Sequence, residues 1–298
     1  MGLEIPLPRL QRAVLRWYTR HARSLWWRRL SPEPYQVLVT ELMLQQTQAQ
    51  RVERVLPRFF QRFPTIRSVA EAPLAEVIRW WQGLGYNRRA RFLWECAQTI
   101  VQHYGGCFPS ELEQLRRLPG VGAYTAAAIA TFAFGRQDVP VLDTNVRRVL
   151  QRILGTEHTS ARELERIARE WLPGGASAQW HQALMDVGAL YCHKHHPRCS
   201  ECPLRRYCRS AGRVPPSARS MQRCEPSFAG IPRRLWRGRL LRLVAVAGTV
   251  TTEQAAQRLF GERPTGEQQR WIEELVAHLV RDGLLCRQGS WLSLPDGL

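Results

Sequence analysis

Apolar residues recur at three- and four-residue spacing through most of the chain, and that period predicts helices. They are expected over Leu10–Tyr18, Tyr35–Gln46, Ala49–Phe60, Val69–Trp81, Ala90–Tyr104, Leu112–Leu118, Ala123–Phe134, Thr144–Leu154, Ala161–Trp171 and Gln179–Tyr191. Breaks carrying Pro, Gly or Ser separate several of them, at Ser31–Pro34, Arg62–Pro64, Gly83–Gly85 and Gly105–Pro109. No period-2 strand is expected before residue 283. After Cys208 the pattern lapses, and residues 211–232, with Pro215, Pro216, Pro226 and Pro232, read as a linker. It resumes as helices Leu235–Val246, Thr252–Phe260 and Gly266–Asp282, then two short strands within Leu284–Leu294, the order of a winged-helix module. The expected organisation is a mainly α domain over 1–210, a linker over 211–232 and a small winged-helix-like domain over 233–298.

Charge changes this picture. The 298 residues carry 43 basic against 25 acidic side chains, a net charge of +18, and Lys194 is the sole lysine. A surplus of guanidinium forks favours a polyanionic partner, with nucleic acid the first expectation and an anionic membrane the second. The start, MGLEIPLPRLQR, lacks the basic flank and apolar stretch of a signal peptide, and no apolar run approaches the roughly 18 residues of a membrane span. Eight cysteines are too dilute for a disulfide scaffold, so a reducing, cytoplasmic setting is expected.

Four of those cysteines are bunched as Cys192-x6-Cys199-x2-Cys202-x5-Cys208. A four-cysteine zinc knuckle is one reading, but zinc sites usually unite two close pairs and here only Cys199 and Cys202 form one. Uneven gaps in a single loop suit a cubane [4Fe–4S] cluster. A second signal is Leu118-Pro-Gly-Val-Gly122 followed by Ala123-Tyr-Thr-Ala-Ala-Ala. A helix ends, the chain turns on Gly120 and Gly122, and a small-residue helix begins, so backbone amides point outward where a phosphate can sit. A third is Glu41, a lone carboxylate in the apolar helix Val37-Leu-Val-Thr-Glu-Leu-Met-Leu, on a face with Val37, Leu38 and Leu44. Partial desolvation there would raise its pKa and make it a proton donor; a plain surface glutamate is the alternative. The fourth is Asp143, after Pro140 and before a helical repeat: an N-cap whose carboxylate the helix amides keep ionised. Two carboxyls of divergent pKa can divide acid and electrostatic roles.

Together with Trp81-Gln-Gly-Leu-Gly-Tyr86 and Ala183-Leu-Met-Asp-Val-Gly-Ala189, these stretches make residues 8–210 resemble the helix-hairpin-helix base-excision glycosylases that carry an iron–sulfur cluster, the MutY-type adenine DNA glycosylases in particular. The resemblance implies a two-lobed helical fold with a DNA cleft between a six-helix lobe and a cluster lobe. It implies hydrolysis of the N-glycosidic bond of adenine mispaired with guanine or 8-oxoguanine in double-stranded DNA, by a monomer near the nucleoid. Glu41 would protonate the flipped adenine, Asp143 would stabilise the cationic sugar, and Asn145 would orient the site. Gln46 and Tyr86 would fill the stack beside the mispair, and Gly120 and Gly122 would hold a backbone phosphate. Cys192, Cys199, Cys202 and Cys208 would hold the cluster. Relatives of the endonuclease III type place a Schiff-base lysine where this chain has Tyr124, so a monofunctional enzyme is implied. The chain departs from the family pattern at Asn87 and Thr144. Residues 233–298 are too short for the Nudix-like domain that reads 8-oxoguanine in longer members. A thymine–guanine mismatch glycosylase on the same scaffold, or a non-catalytic iron–sulfur DNA-binding protein, are the alternatives.

Overall fold

Proline, glycine and capping side chains cut the helical pattern into its elements. A computed structural model describes residues 6–29, 33–156, 159–213 and 225–295. The helices run α1 (Leu7–His21), α2 (Pro34–Leu44), α3 (Ala49–Arg62), α4 (Ile66–Glu71), α5 (Leu74–Trp80), α6 (Arg88–Tyr104), α7 (Leu112–Arg116), α8 (Ala123–Ala128), α9 (Thr144–Leu154), α10 (Ala161–Glu170) and α11 (Ser177–Leu190). Beyond the cysteine run come β1 (Ser227–Phe228), β2 (Ile231–Pro232), α12 (Arg233–Ala247), β3 (Thr249–Thr251), α13 (Thr252–Phe260), α14 (Gly266–Arg281), β4 (Cys286–Gln288) and β5 (Trp291–Ser293). The expected mainly α class holds.

Three local expectations are corrected. The helix read over 69–81 is two, because Pro73 has no N–H to continue the ladder and forces Ala72 into extended backbone. The helix read over 123–134 is α only to Ala128; Ile129–Ala133 widens into a π turn, with the Phe134 amide donating to the Ile129 carbonyl at 3.2 Å. Strands do occur before residue 283. The hairpin β1–β2 forms in the stretch read as linker, whose residues 214–224, Cys224 included, lie outside the described residues. β3 completes an antiparallel wing of order β3-β5-β4, with Val250 opposite Leu292. Strands of two or three residues are too short to show alternation. In α12, Trp236, Leu240, Leu241 and Val244 form the buried face, and Leu235 is half exposed.

The chain divides into two compact units, each built from separate stretches. Unit 1 takes residues 1–37, 110–116 and 121–222. Its core joins Leu10 and Val14 of α1 to Val146, Val149 and Ile153 of α9 and to Trp180, Leu184 and Val187 of α11. Inside α11 the fully buried Asp186 accepts both ends of the Arg28 fork, at 2.8 and 3.0 Å, and the Arg23 backbone amide at 3.0 Å. Such a carboxylate is tolerated because every oxygen is paired.

Unit 2 takes residues 38–109, 117–120 and 223–298. Leu38, Val39, Leu42 and Met43 of α2 are fully buried, as are Val52, Leu56 and Phe59 of α3, Ile78 of α5, Trp81, and Leu93 and Ala97 of α6. The C-terminal module has its own core, in which Phe228, Trp236, Phe260 and Trp271 cluster with ring centroids 4.8–6.3 Å apart. It docks on the rest of unit 2 through the Ala75 amide, which donates to the Pro295 carbonyl at 2.9 Å, and Arg91, which donates to the Asp282 carbonyl at 3.0 Å.

Candidate active site

Glu41 is half-buried in α2, one turn from the half-buried Val37 and Leu44. The face inward of it is Leu38, Val39, Leu42 and Met43, so the carboxyl borders an apolar core. Leu38, expected beside Glu41, belongs to that inner face. Past α2 the chain turns through Gln46, which is exposed and left-handed at φ 54°. Tyr86, in the turn before α6, is half exposed and also left-handed, at φ 45°. Non-glycine residues seldom adopt this conformation, and it costs about 1 kcal/mol or more at each.

One side chain holds both turns. Arg89, on the first turn of α6, is 5% exposed. Its Nη1 donates to the carbonyls of Leu42, Met43 and Gln45 at 2.7, 2.9 and 2.5 Å. Its Nη2 donates to Gly85 at 2.8 Å and to Thr47 Oγ1 at 3.0 Å, and Nε to Tyr86 at 3.2 Å. A cation at the C-terminus of α2 satisfies carbonyls left orphaned there and matches the negative end of the helix. Burial lowers its pKa to about 10, which still leaves it charged at neutral pH. Gln46 and Tyr86 open onto a groove of about 860 Å³ that Arg51, Arg88, and Arg233 and Arg234 from α12 also line.

In unit 1, Asp143 caps α9 as expected. Its Oδ1 accepts the Val146 amide at 2.6 Å, and Oδ2 accepts the Asn145 side-chain amide at 2.8 Å. Both partners donate, so each carboxylate oxygen has a fixed hydrogen bond. Asn145 is fixed in turn by Arg148, whose Nη2 donates to Asn145 Oδ1 at 2.7 Å and to the Gly188 carbonyl at 2.9 Å. Arg148 Nε also donates to the Cys192 carbonyl at 2.5 Å, so the start of the cysteine loop is tied to the carboxylate through two side chains. Tyr124 is half-buried in the first turn of α8, in the same unit. The two hairpin glycines have different reasons. Gly120 is left-handed at φ 73°, and a Cβ there would lie 2.6 Å from the Phe92 Cβ. Gly122 is extended and faces open space, leaving its backbone accessible.

The four bunched cysteines line one small cavity of about 30 Å³ together with Arg152 and Tyr191. Burial foremost, with smaller contributions from the sulfurs of Cys192, Cys208 and Cys199, pushes the Cys202 thiol up to about 11. Arg152 Nη1 lies 3.2 Å from Cys192 Sγ, and its other bonds go to the His193 and Lys194 carbonyls. No group of three or more His, Cys, Asp or Glu among the described residues is gathered closely enough to hold a single metal ion. All four cysteines nonetheless line the same cavity.

The model of the HhH-GPD superfamily of base excision DNA repair proteins matches residues 39–174. An adenine DNA glycosylase of Mycolicibacterium smegmatis is 39% identical over 281 residues, spanning 91% of this chain and 91% of that protein. The chain belongs to the adenine DNA glycosylase family. A Mycobacterium tuberculosis adenine DNA glycosylase is 41% identical over 271 residues, 89% of this chain and 87% of its own. The solved structure of a thermostable thymine-DNA glycosylase superposes with a TM-score of 0.66 at 29% identity, covering 70% of this chain and 97% of that one.

The superfamily match takes in Glu41, Gln46, Tyr86, the hairpin glycines, Tyr124, Asp143 and Asn145, and stops before the cysteines. At 91% coverage of this chain, the Mycolicibacterium smegmatis alignment extends past residue 232 into the C-terminal module. Several residues around the site had no functional reading in the sequence. Arg89, Arg148 and Arg152 were hidden among the other arginines. His181, Asp186 and Gly188 carried a signal, being polar or minimal positions inside the apolar pattern of α11. A Cβ at Gly188 would lie 2.5 Å from the Asn145 Cβ, so this glycine lets α11 approach the residue that orients Asp143.

Proposed function

We propose that this adenine DNA glycosylase hydrolyses the N-glycosidic bond of adenine mispaired with guanine or 8-oxoguanine in duplex DNA, without a Schiff-base step. The observation that carries the reading is Asp143, an acceptor with two fixed donors in the start of α9. A carboxylate fixed in this way stabilises the positive charge that develops on the sugar as the base departs. Glu41 donates a proton to the extruded adenine, which then leaves as the neutral base. Water adds to the sugar carbon and gives its proton to solvent or to the Glu41 carboxylate. Asn145 fixes the Asp143 carboxylate, and Tyr124 stands in place of the lysine of lyase-type relatives. Gln46 and Tyr86 enter the stack at the mispair, held by Arg89, and the hairpin backbone at Gly120 and Gly122 receives a phosphate. The arginines of the winged-helix-like module, residues 233–298, add phosphate contacts along the groove beside Tyr86.

Cys192, Cys199, Cys202 and Cys208 fit a [4Fe–4S] cluster. Four thiols of one loop line a single cavity, and their uneven spacing along the chain suits a cubane. When bound, the cluster supplies four iron–thiolate bonds that crosslink the loop to the end of α11.

The test is a panel of duplexes with one mispair each, scored for base release with and without alkali. Adenine should be released opposite guanine and 8-oxoguanine, the strand should stay intact until alkali is added, and borohydride should trap no adduct. Glu41→Gln should abolish release while mispair binding survives. The likeness to the thymine-DNA glycosylase favours one other substrate, thymine opposite guanine. Release of that base in preference to adenine would replace the proposal.

A further inference from the structure

Unit 1 carries a second basic concavity that shares no residue with the groups placed above. Along α1, Arg9, Arg12, Arg16 and Arg20 fall on one stripe, within about 80° of arc at 3.6 residues per turn and over about 16 Å of helix. All four are exposed, while Leu10 and Val14 on the inner stripe are fully buried in the unit 1 core. Facing them, between the third and fourth bunched cysteines, are Arg206 and Tyr207. With Trp17 and His21, whose rings stack at 5.8 Å and 7°, these walls enclose a groove of about 500 Å³.

The charge in this groove is unbalanced. None of the five arginines pairs with a carboxylate among the described residues, whereas Arg23, Arg28, Arg62, Arg116 and Arg198 elsewhere each do. α1 contains no acidic residue at all. Arg12, Arg16 and Arg20 are i,i+4 neighbours of like charge, an arrangement that destabilises a helix. A polyanion laid in the groove supplies the missing counter-charge.

We propose that this groove binds the phosphodiester backbone of DNA beyond the stretch held at the active site. Successive arginines one turn apart, about 6 Å, follow the scale on which phosphates succeed one another along a strand. Guanidinium forks match phosphate oxygens, and Trp17 and Tyr207 offer rings to bases or sugars. A lipid surface fits less well, because the apolar stripe that would enter it is already buried in the protein's own core.

The test compares the full chain with the variant Arg12→Gln/Arg16→Gln/Arg20→Gln on two probes: a short mispair duplex that spans only the active site, and a long duplex with the same mispair at its centre. On the long duplex the variant should bind about tenfold to a hundredfold more weakly at low salt. The slope of log affinity against log salt should be shallower by up to about 2.7, about 0.9 for each of the three phosphates no longer neutralised. On the short duplex, affinity and single-turnover excision should be unchanged. The thermal midpoint should not fall, since like-charge repulsion in α1 is relieved. An unchanged slope on the long duplex would show a solvated face, or a groove for an acidic protein, and would overturn the proposal. Equal loss on both probes would also overturn it, because the groove would then belong to the active-site track. If the unaltered chain released no base from the short duplex, that would count against the proposed function and leave this proposal standing.

Discussion

Arg89 is a buried cation with no carboxylate partner among the described residues, and it is stable because backbone carbonyls surround it. Its planar fork reaches the end of α2 and the turn before α6 at once, which an ammonium on a flexible stem cannot do. It thereby holds Gln46 and Tyr86 in left-handed backbone that each would leave if free. Arg89→Lys keeps the charge and loses the fork. Denaturant unfolding should show a loss of roughly 2–4 kcal/mol, since several buried carbonyls lose charged donors. Affinity for a mispaired duplex should fall further than affinity for a matched one. Wild-type stability together with wild-type mispair discrimination would remove Arg89 from this role.

At the scale of elements, the entry into α9 decides where Asp143 sits. The Val139 carbonyl accepts from Thr131 Oγ1 at 2.9 Å, inside the π turn that follows α8. The Val141 amide donates to His181 Nε2 at 2.9 Å, and His181 Nδ1 lies 2.8 Å from the Ser177 carbonyl, so the ring is neutral with its proton on Nδ1. Burial lowers the His181 pKa from 6.5 to about 4, against a smaller opposing effect of the Ser177 bond. Between those pH values the unfolded chain binds a proton that the folded chain does not. The stability from this group is complete above about pH 6.5 and is lost as pH falls toward 4, by roughly 3 kcal/mol in all. Thermal midpoints of the wild type and of His181→Gln, measured from pH 7 to pH 4, should converge in slope only above pH 6.5. A variant with the same acid slope as the wild type would assign that loss to other groups.

For the whole molecule, the cysteine loop closes back on unit 1 through Arg148 and Arg152, which bond the carbonyls of Cys192, His193 and Lys194. A group that bonds all four sulfurs therefore supports the end of α11 and, through Arg148 and Asn145, the position of Asp143. The purified chain should be brown, with about four irons and four acid-labile sulfides. Cys202→Ser should lose most of that iron and lower the thermal midpoint, and it should weaken DNA binding through the loop. A colourless preparation with a single zinc and full stability would defeat the cluster assignment. The arginine surplus has several destinations: Arg89 and Arg148 hold backbone, Arg28 neutralises a buried acid, and the stripe on α1 remains open to a partner.

The sequence by itself determined what depends on neighbours along the chain. The helical period placed most helices, the glycine turn marked the hairpin, the cysteine spacing marked a four-sulfur site, and Asp143 was readable as an N-cap because a cap is a local event. Only the tertiary structure decided what depends on distant partners. β3 exists because β5 lies beside it, and Leu235 turns outward because Trp236 fills the module core; the break in the helix over 69–81 is instead a local effect of Pro73 that the unbroken apolar period masked. Arg89 and Arg148 took their roles from carbonyls 44–47 and 40–44 residues away. An arginine's pattern along a chain says that it carries charge, while the fold alone fixes which acceptors surround it and whether water is excluded.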